Sequence, residues 1–217
     1  PNAMVQVSPV TKFHSGAGYQ YEDSVIYGFT HTNKGHWNLC HIPLLPVTGT
    51  PTPGDYCSPF SHERESAAPG YYQVFLDRYG VDAQLSSTLR CAFHKYTYPA
   101  GAAPAVLADL QRSNEHVRAW DIRKEGDNVF AGWQQTGEKM YFYAVANRPV
   151  TGIEPVVEGD REVRIVRFGE GDGALELRIG FSFVSEKNAR ENLEAEMLGK
   201  SFAEVRSEAT ATWNDLL

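Results

Sequence analysis

The side chains best suited to chemistry crowd into one stretch, Gly28-Phe29-Thr30-His31-Thr32-Asn33-Lys34-Gly35-His36-Trp37-Asn38-Leu39-Cys40-His41. Polar residues, two glycines and a Trp follow a strand-like run there, which predicts a loop held out from a rigid scaffold. On such a loop a Trp can take the face of a sugar, whose axial C–H groups stack on the indole while neighbouring His and Asn bond its hydroxyls. The alternative is that Trp37 plugs the end of the domain. His31, His36 and His41 recur every five residues. That spacing suits neither one face of a helix nor one face of a strand, so the three are not expected to hold a metal together. Adjacency in sequence, as of Cys40 with His41 or Cys91 with His94, is not the geometry that activates a thiolate, and buried structural cysteines are expected.

A second concentration runs Ser58-Pro59-Phe60-Ser61-His62-Glu63-Arg64-Glu65-Ser66-Ala67-Ala68-Pro69-Gly70-Tyr71-Tyr72. Glu63 and Glu65 could supply the two carboxylates of glycoside hydrolysis, which face each other ~5 to 10 Å apart across the bond. Two carboxylates on one short loop rarely straddle a substrate, and the expectation is a solvated charged loop before the Pro69-Gly70 turn into a strand. No phosphate-cradling glycine loop, nucleophile elbow or H-E-x-x-H motif occurs.

Composition narrows the partners. The 217 residues carry 20 Lys and Arg against 27 Asp and Glu, a net charge of −7. That gives no electrostatic handle for a phosphate backbone or an anionic lipid surface. The longest apolar run, 140–146, falls far short of the ~20 residues a bilayer span needs. Three cysteines without a C-x-x-C pair indicate neither a zinc ribbon nor a complete disulfide framework. The opening Pro1-Asn2-Ala3-Met4-Val5-Gln6-Val7 lacks the basic and apolar regions of a signal peptide and reads like a strand entered midway.

These groups need a scaffold, and Gly and Pro punctuate most of the chain at the intervals of an all-β domain. The strands expected are 3–7, 24–29, 39–46, 71–76, 81–85, 88–98, 105–110, 116–122, 129–135, 139–147, 162–168 and 174–184. Leu89, Cys91 and Phe93 alternate with Arg90, Ala92 and His94, and two distinct faces imply a sandwich. Glu125-Gly126-Asp127-Asn128 and Glu170-Gly171-Asp172-Gly173 are read as tight hairpin turns. From 186 the spacing changes to that of helices: Ala189, Leu193 and Met197 form one stripe. Ser201-Phe202-Ala203-Glu204 is a capping box opening a second helix, with Phe202, Val205, Ala209, Trp213 and Leu216 on one stripe. That stripe should bury against the sandwich or against a following domain.

Two strings then become recognisable. GFTHTNKGHWNLCHIPLLP over 28–46 and SPFSHERESAAPGYYQVFLDRYGVDAQLSSTLRCAFHKYTYP over 58–99 resemble, in order and spacing, the amino-terminal domain of glycoside hydrolase family 92, the α-mannosidases. PNAMVQVSP is similar to that family's opening with its first strand removed, and FSFVSEKNARENLEAEM resembles its exit into interdomain helices. The resemblance implies a mainly β fold, an antiparallel β-sandwich of the supersandwich type over 1–184. Linker helices over 185–217 would then lead into an (α/α)6 barrel. It implies an inverting, calcium-dependent exo-α-mannosidase acting on mannose-containing glycans outside the cytoplasm, with the catalytic acid, the base and the calcium ligands in the barrel and none here. The amino-terminal domain would supply one wall of the pocket. His31 and Trp37 are the leading wall candidates, with Phe29, His36 and His62 as further substrate contacts. Asn33-Lys34-Gly35-His36-Trp37 is shorter than the family's usual glycine-rich loop. The competing reading is a stand-alone, non-catalytic carbohydrate-binding sandwich.

Overall fold

The computed structural model describes residues 3–215. In chain order its strands are β1 Ser8–Val10, β2 Val25–Ile26, β3 Gly28–Thr30, β4 Asn33–Lys34, β5 Trp37–Asn38, β6 Leu44–Val47, β7 Ser58–Pro59 and β8 Glu65–Ala68. They continue as β9 Tyr71–Leu76, β10 Val81–Ser87, β11 Cys91–Thr97, β12 Ala105–Ala108, β13 Ala119–Gly126, β14 Val129–Gln135, β15 Lys139–Ala146, β16 Val150–Glu158, β17 Arg161–Phe168 and β18 Leu175–Ser182. Two helices close the described chain, α1 Glu186–Met197 and α2 Phe202–Asn214. One sheet has the order β1-β3-β6-β12-β17-β16 and the other β13-β14-β15-β18-β11-β10-β9-β8, with antiparallel pairing throughout.

The period of two builds the core. In β18, Leu175, Leu177, Ile179 and Phe181 face inward, and in β11 Ala92 and Tyr96 do the same, meeting Leu44, Val106 and Ile165 of the opposite sheet. The other face of β11 carries Cys91 and Phe93 into a second cluster with Tyr71, Leu193, Met197, Phe202 and Val205. Both helices thus pack on the outer face of the eight-stranded sheet. Ser185 and Ser201 cap them, and Ser201 with Glu204 forms the expected capping box. The stripe of α2 buries Phe202 and Val205, leaves Ala209 half-buried and Trp213 39% exposed. Leu216 lies outside the described residues.

Several expectations are corrected. Residues 3–7 form no strand: Met4 and Val5 donate to the Leu89 carbonyl and Gln6 to that of His31, without a ladder. The runs 24–29 and 39–46 are broken, the second because Cys40 and Ile42 take positive φ of 54° and 52°. Glu170-Gly171-Asp172-Gly173 crosses from one sheet to the other instead of closing a hairpin. Three edge strands lie outside the expected set: β1, β16, which contains Gly152 and Pro155, and β8, in a stretch expected as loop.

Candidate functional site

The 28–41 stretch has three parts with different fates. Phe29 in β3 and His31 just beyond it have no exposed surface. Phe29 lies 6.3 Å from the Tyr96 ring and edge-on to Tyr72 and His94. The His31 ring stacks on His94 at 5.1 Å and lies tilted against Phe181 at 4.6 Å. Both belong to the core between the sheets, so the expectation that they contact a sugar is corrected: neither has surface to offer. Their polar atoms are spent internally. His31 Nε2 is 3.1 Å from His94 Nε2, and His94 Nδ1 is 2.5 Å from the Tyr96 hydroxyl. Burial pushes the His31 imidazole down to about 3 and His94 well below the ordinary range.

The middle part is a hairpin, β4 and β5 joined through Gly35 and His36. Trp37 is 53% exposed at the end of it, and the His36 ring, also exposed, is 5.8 Å from the indole. The indole rests on Gly16, whose φ of +78° few other residues adopt, and a Cβ there would stand 3.6 Å from the Trp37 ring. One side of the indole is backed and half the residue is open.

What fixes this hairpin is a buried amide not singled out in the sequence. Asn38 has no exposed surface. Its Oδ1 accepts from the Cys40 backbone N–H at 2.8 Å and from the Thr30 hydroxyl, and its Nδ2 donates to Ser8 Oγ at 2.8 Å. Its backbone N–H donates to the Gly16 carbonyl, and its carbonyl accepts from Asn114 Nδ2 at 2.6 Å. Asn and Asp are the usual residues for such backbone-bridging duty, but nothing in single-sequence pattern separates Asn38 from its polar neighbours.

The last part ties the hairpin to the body. Buried His41 places Nε2 2.9 Å from Glu115 Oε2 and 3.1 Å from Thr136 Oγ1, and Nδ1 2.9 Å from Thr32 Oγ1. Burial lowers the His41 imidazole below its usual value despite the carboxylate. For Glu115, burial works upward, but the hydrogen bonds from Thr136 and His41 and the charge of Lys34 hold it below the ordinary range. Hydroxyl, imidazole and carboxylate in this order imitate a hydrolytic triad, yet Thr32 is 2% exposed and its oxygen is out of a substrate's reach. Cys40 and Cys91 are buried, and burial pushes the Cys40 thiol up to about 12, so both act as apolar packing.

His62 sits apart, in the short turn before β8. Its ring stacks on exposed Tyr21 at 4.0 Å, its Nδ1 is 2.5 Å from Glu65 Oε2, and that hydrogen bond raises its pKa. Glu65 is no solvated loop carboxylate: it also accepts from Tyr19 at 3.0 Å and Tyr72 at 2.6 Å. Among the described residues no three or more His, Cys, Asp or Glu side chains are placed to hold a metal ion. The hairpin accordingly offers a backed indole, an imidazole and the Lys34 ammonium, the chemistry of holding a polyol rather than of breaking a bond.

The family model described as the glycosyl hydrolase family 92 N-terminal domain matches residues 1–192. A secreted, uncharacterized glycosidase of Arthroderma benhamiae is 23% identical over an alignment covering 97% of this chain and 34% of that protein. The family GH92 α-mannosidase BT3965 of Bacteroides thetaiotaomicron superposes with a TM-score of 0.90 at 25% identity, covering 99% of this chain and 34% of that one. The GH92 glycosyl hydrolase ccman5 gives 0.84 at 26%, with 99% and 34% covered. The chain spans about a third of the length of these relatives.

Proposed function

The chain belongs to the glycosyl hydrolase family 92 N-terminal domain family, and we propose that it is the amino-terminal sandwich of an inverting, calcium-dependent exo-α-mannosidase that works outside the cytoplasm on mannose-containing glycans. Its Trp37 hairpin forms one wall of the active-site pocket. The similarity to an α-mannosidase and to a secreted glycosidase supports the substrate class and the location. The observation that carries the wall is the half-exposed indole on a hairpin anchored through Asn38. The enzyme's calcium ligands, with the acid and base, are assigned, on the family resemblance, to an (α/α)6 barrel packed against this domain.

The contribution of this chain is positioning. An inverting enzyme holds an acid on the leaving oxygen and a base on a water across the ring. A wall that stacks the leaving sugar keeps its oxygen in line with the acid, worth ~1 to 3 kcal/mol in the transition state. An aryl leaving group departs readily and needs the wall less. In the full-length enzyme Trp37→Ala is expected to lower kcat/KM about 10- to 100-fold on a mannose disaccharide and less on an aryl mannoside. Equal losses on both, with a lower Tm, would assign the indole to stability instead. The chain by itself is expected to release no mannose, and calcium-dependent release by the purified chain would overturn the assignment of the acid and base elsewhere.

A further inference from the structure

A cavity of about 690 Å³ opens between the 11–18 segment, the loop from β12 to β13 and the start of β17. Arg112, Arg118, Arg161, His14, Gln111 and Trp120 are among its lining residues. Three guanidinium groups converging on one hollow are unexpected in a chain of net charge −7. Two of them are set by one carboxylate. Asp109, with no exposed surface, takes Arg161 Nη2 at 2.8 Å on Oδ2, and Arg112 Nε stands 4.0 Å from the same oxygen. The Tyr56 hydroxyl donates to that oxygen too, at 2.7 Å. Arg112 is further held over the rings of Phe13 and Tyr27, at 4.8 and 5.3 Å. Asp109 offsets one positive charge of three. Arg118 is exposed, and among the described residues no carboxylate lies within ion-pair distance of it. Arg161 Nε and Asp109 Oδ1 are both buried and without a hydrogen-bond partner among the described residues, so this pair is internal to the wall and Arg118 is the guanidinium open to the cavity.

Fixed guanidinium forks match the paired oxygens of phosphate and carboxylate. Trp120 adds aromatic surface to the lining; the Arg164 guanidinium lies 4.9 Å from its ring centroid, which leaves one face for a pyranose ring. We propose that this cavity binds an acidic sugar, its phosphate or carboxylate on Arg118, beside Arg112 and Arg161, and its ring against Trp120. This goes beyond the mannosidase reading and does not depend on it, since the binding is a property of this chain's own residues.

The test is calorimetric titration of the full chain with glucose 6-phosphate, glucuronate, neutral methyl glucoside and inorganic phosphate. Both or either of the charged sugars should bind at millimolar concentration, and the one that does identifies the oxyanion. The neutral sugar should not bind, and added salt should weaken the complex. Arg118→Gln, at an exposed position that leaves the fold intact, should weaken binding at least about tenfold, the loss of one charge-assisted hydrogen bond. No binding of either charged sugar, or binding indifferent to Arg118→Gln, overturns the site. Inorganic phosphate binding as tightly as glucose 6-phosphate overturns the part given to Trp120.

Discussion

Tyr96, His94 and His31 form a line of hydrogen bonds through the core, and its direction follows from its far end. The His31 Nδ1–H points at the His41 carbonyl 3.4 Å away, so His31 Nε2 is the acceptor of the His94 Nε2–H, and His94 Nδ1 accepts from the Tyr96 hydroxyl. The network is satisfied only while both imidazoles are neutral. In the folded state His31 protonates near pH 3, against ~6.5 when unfolded. Between those values the unfolded chain binds more protons, so stability is full above ~pH 6.5 and falls as the pH drops toward 3. The slope is up to ~1.4 kcal/mol per pH unit for each buried histidine. Urea midpoints measured from pH 7 to pH 4 should show it, and His31→Asn should flatten the acid limb while lowering stability at pH 7. A midpoint that does not move over this range would mean that the pair is solvated. The same residue marks a limit of legibility. His31 and Trp37 stand six positions apart in one polar string, and only the placement of β3 between the sheets separates a core imidazole from an open indole.

At the scale of elements, α1 lies so close on β18 that the strand has no room for a side chain at Gly180. A Cβ on Gly180 would stand 2.1 Å from the Ala189 carbonyl oxygen and 2.8 Å from Leu193 Cβ, both on a helix that cannot shift without losing its seat. Gly180→Ala is therefore expected to cost at least ~3 kcal/mol, at or above the upper end of ordinary overpacking, read as a lower urea midpoint. A change under ~1 kcal/mol would show that α1 rides loosely on the sheet. Alternation made β9, β10, β11, β14, β15 and β18 readable from sequence, because both of their faces are specified, one by the central core and one by the helices or solvent. The strand 39–46 failed because Cys40 and Ile42 turn through positive φ, a conformation single-sequence propensity does not assign to a cysteine or a β-branched residue. β16 failed because Pro155 and Gly152 read as breakers, whereas an edge strand has one row of N–H groups free of pairing and tolerates Pro there. β8 failed because the burial of Glu65 depends on Tyr19, Tyr72 and His62, which only the tertiary fold brings to it.

For the molecule as a whole, the question is whether the helices belong to this domain or merely leave it. The linker expected over 185–217 carries Leu193, Met197, Phe202 and Val205, all buried against Tyr71, Cys91 and Phe93 of the sheet. At ~1.5 to 3 kcal/mol for each large side chain removed from water, those four alone contribute about 6 to 12 kcal/mol gross. That is comparable with the entire net stability of an ordinary domain, ~5 to 15 kcal/mol. Polar latches reinforce the seat: Arg90 Nε donates to Glu196 at 2.5 Å, Asn192 Nδ2 to the Phe181 carbonyl at 2.7 Å, and Arg178 Nη2 to the Lys200 carbonyl at 2.8 Å. A chain cut after residue 184 should therefore lose cooperative unfolding and bind a hydrophobic dye through the uncovered Cys91 and Phe93 face. A cut after residue 206 keeps all four of those side chains and should preserve the transition, losing only the span that carries half-buried Ala209 and exposed Trp213. If the 184 product instead unfolds cooperatively with an unchanged midpoint, the helices are a passive connection and the sandwich is complete without them.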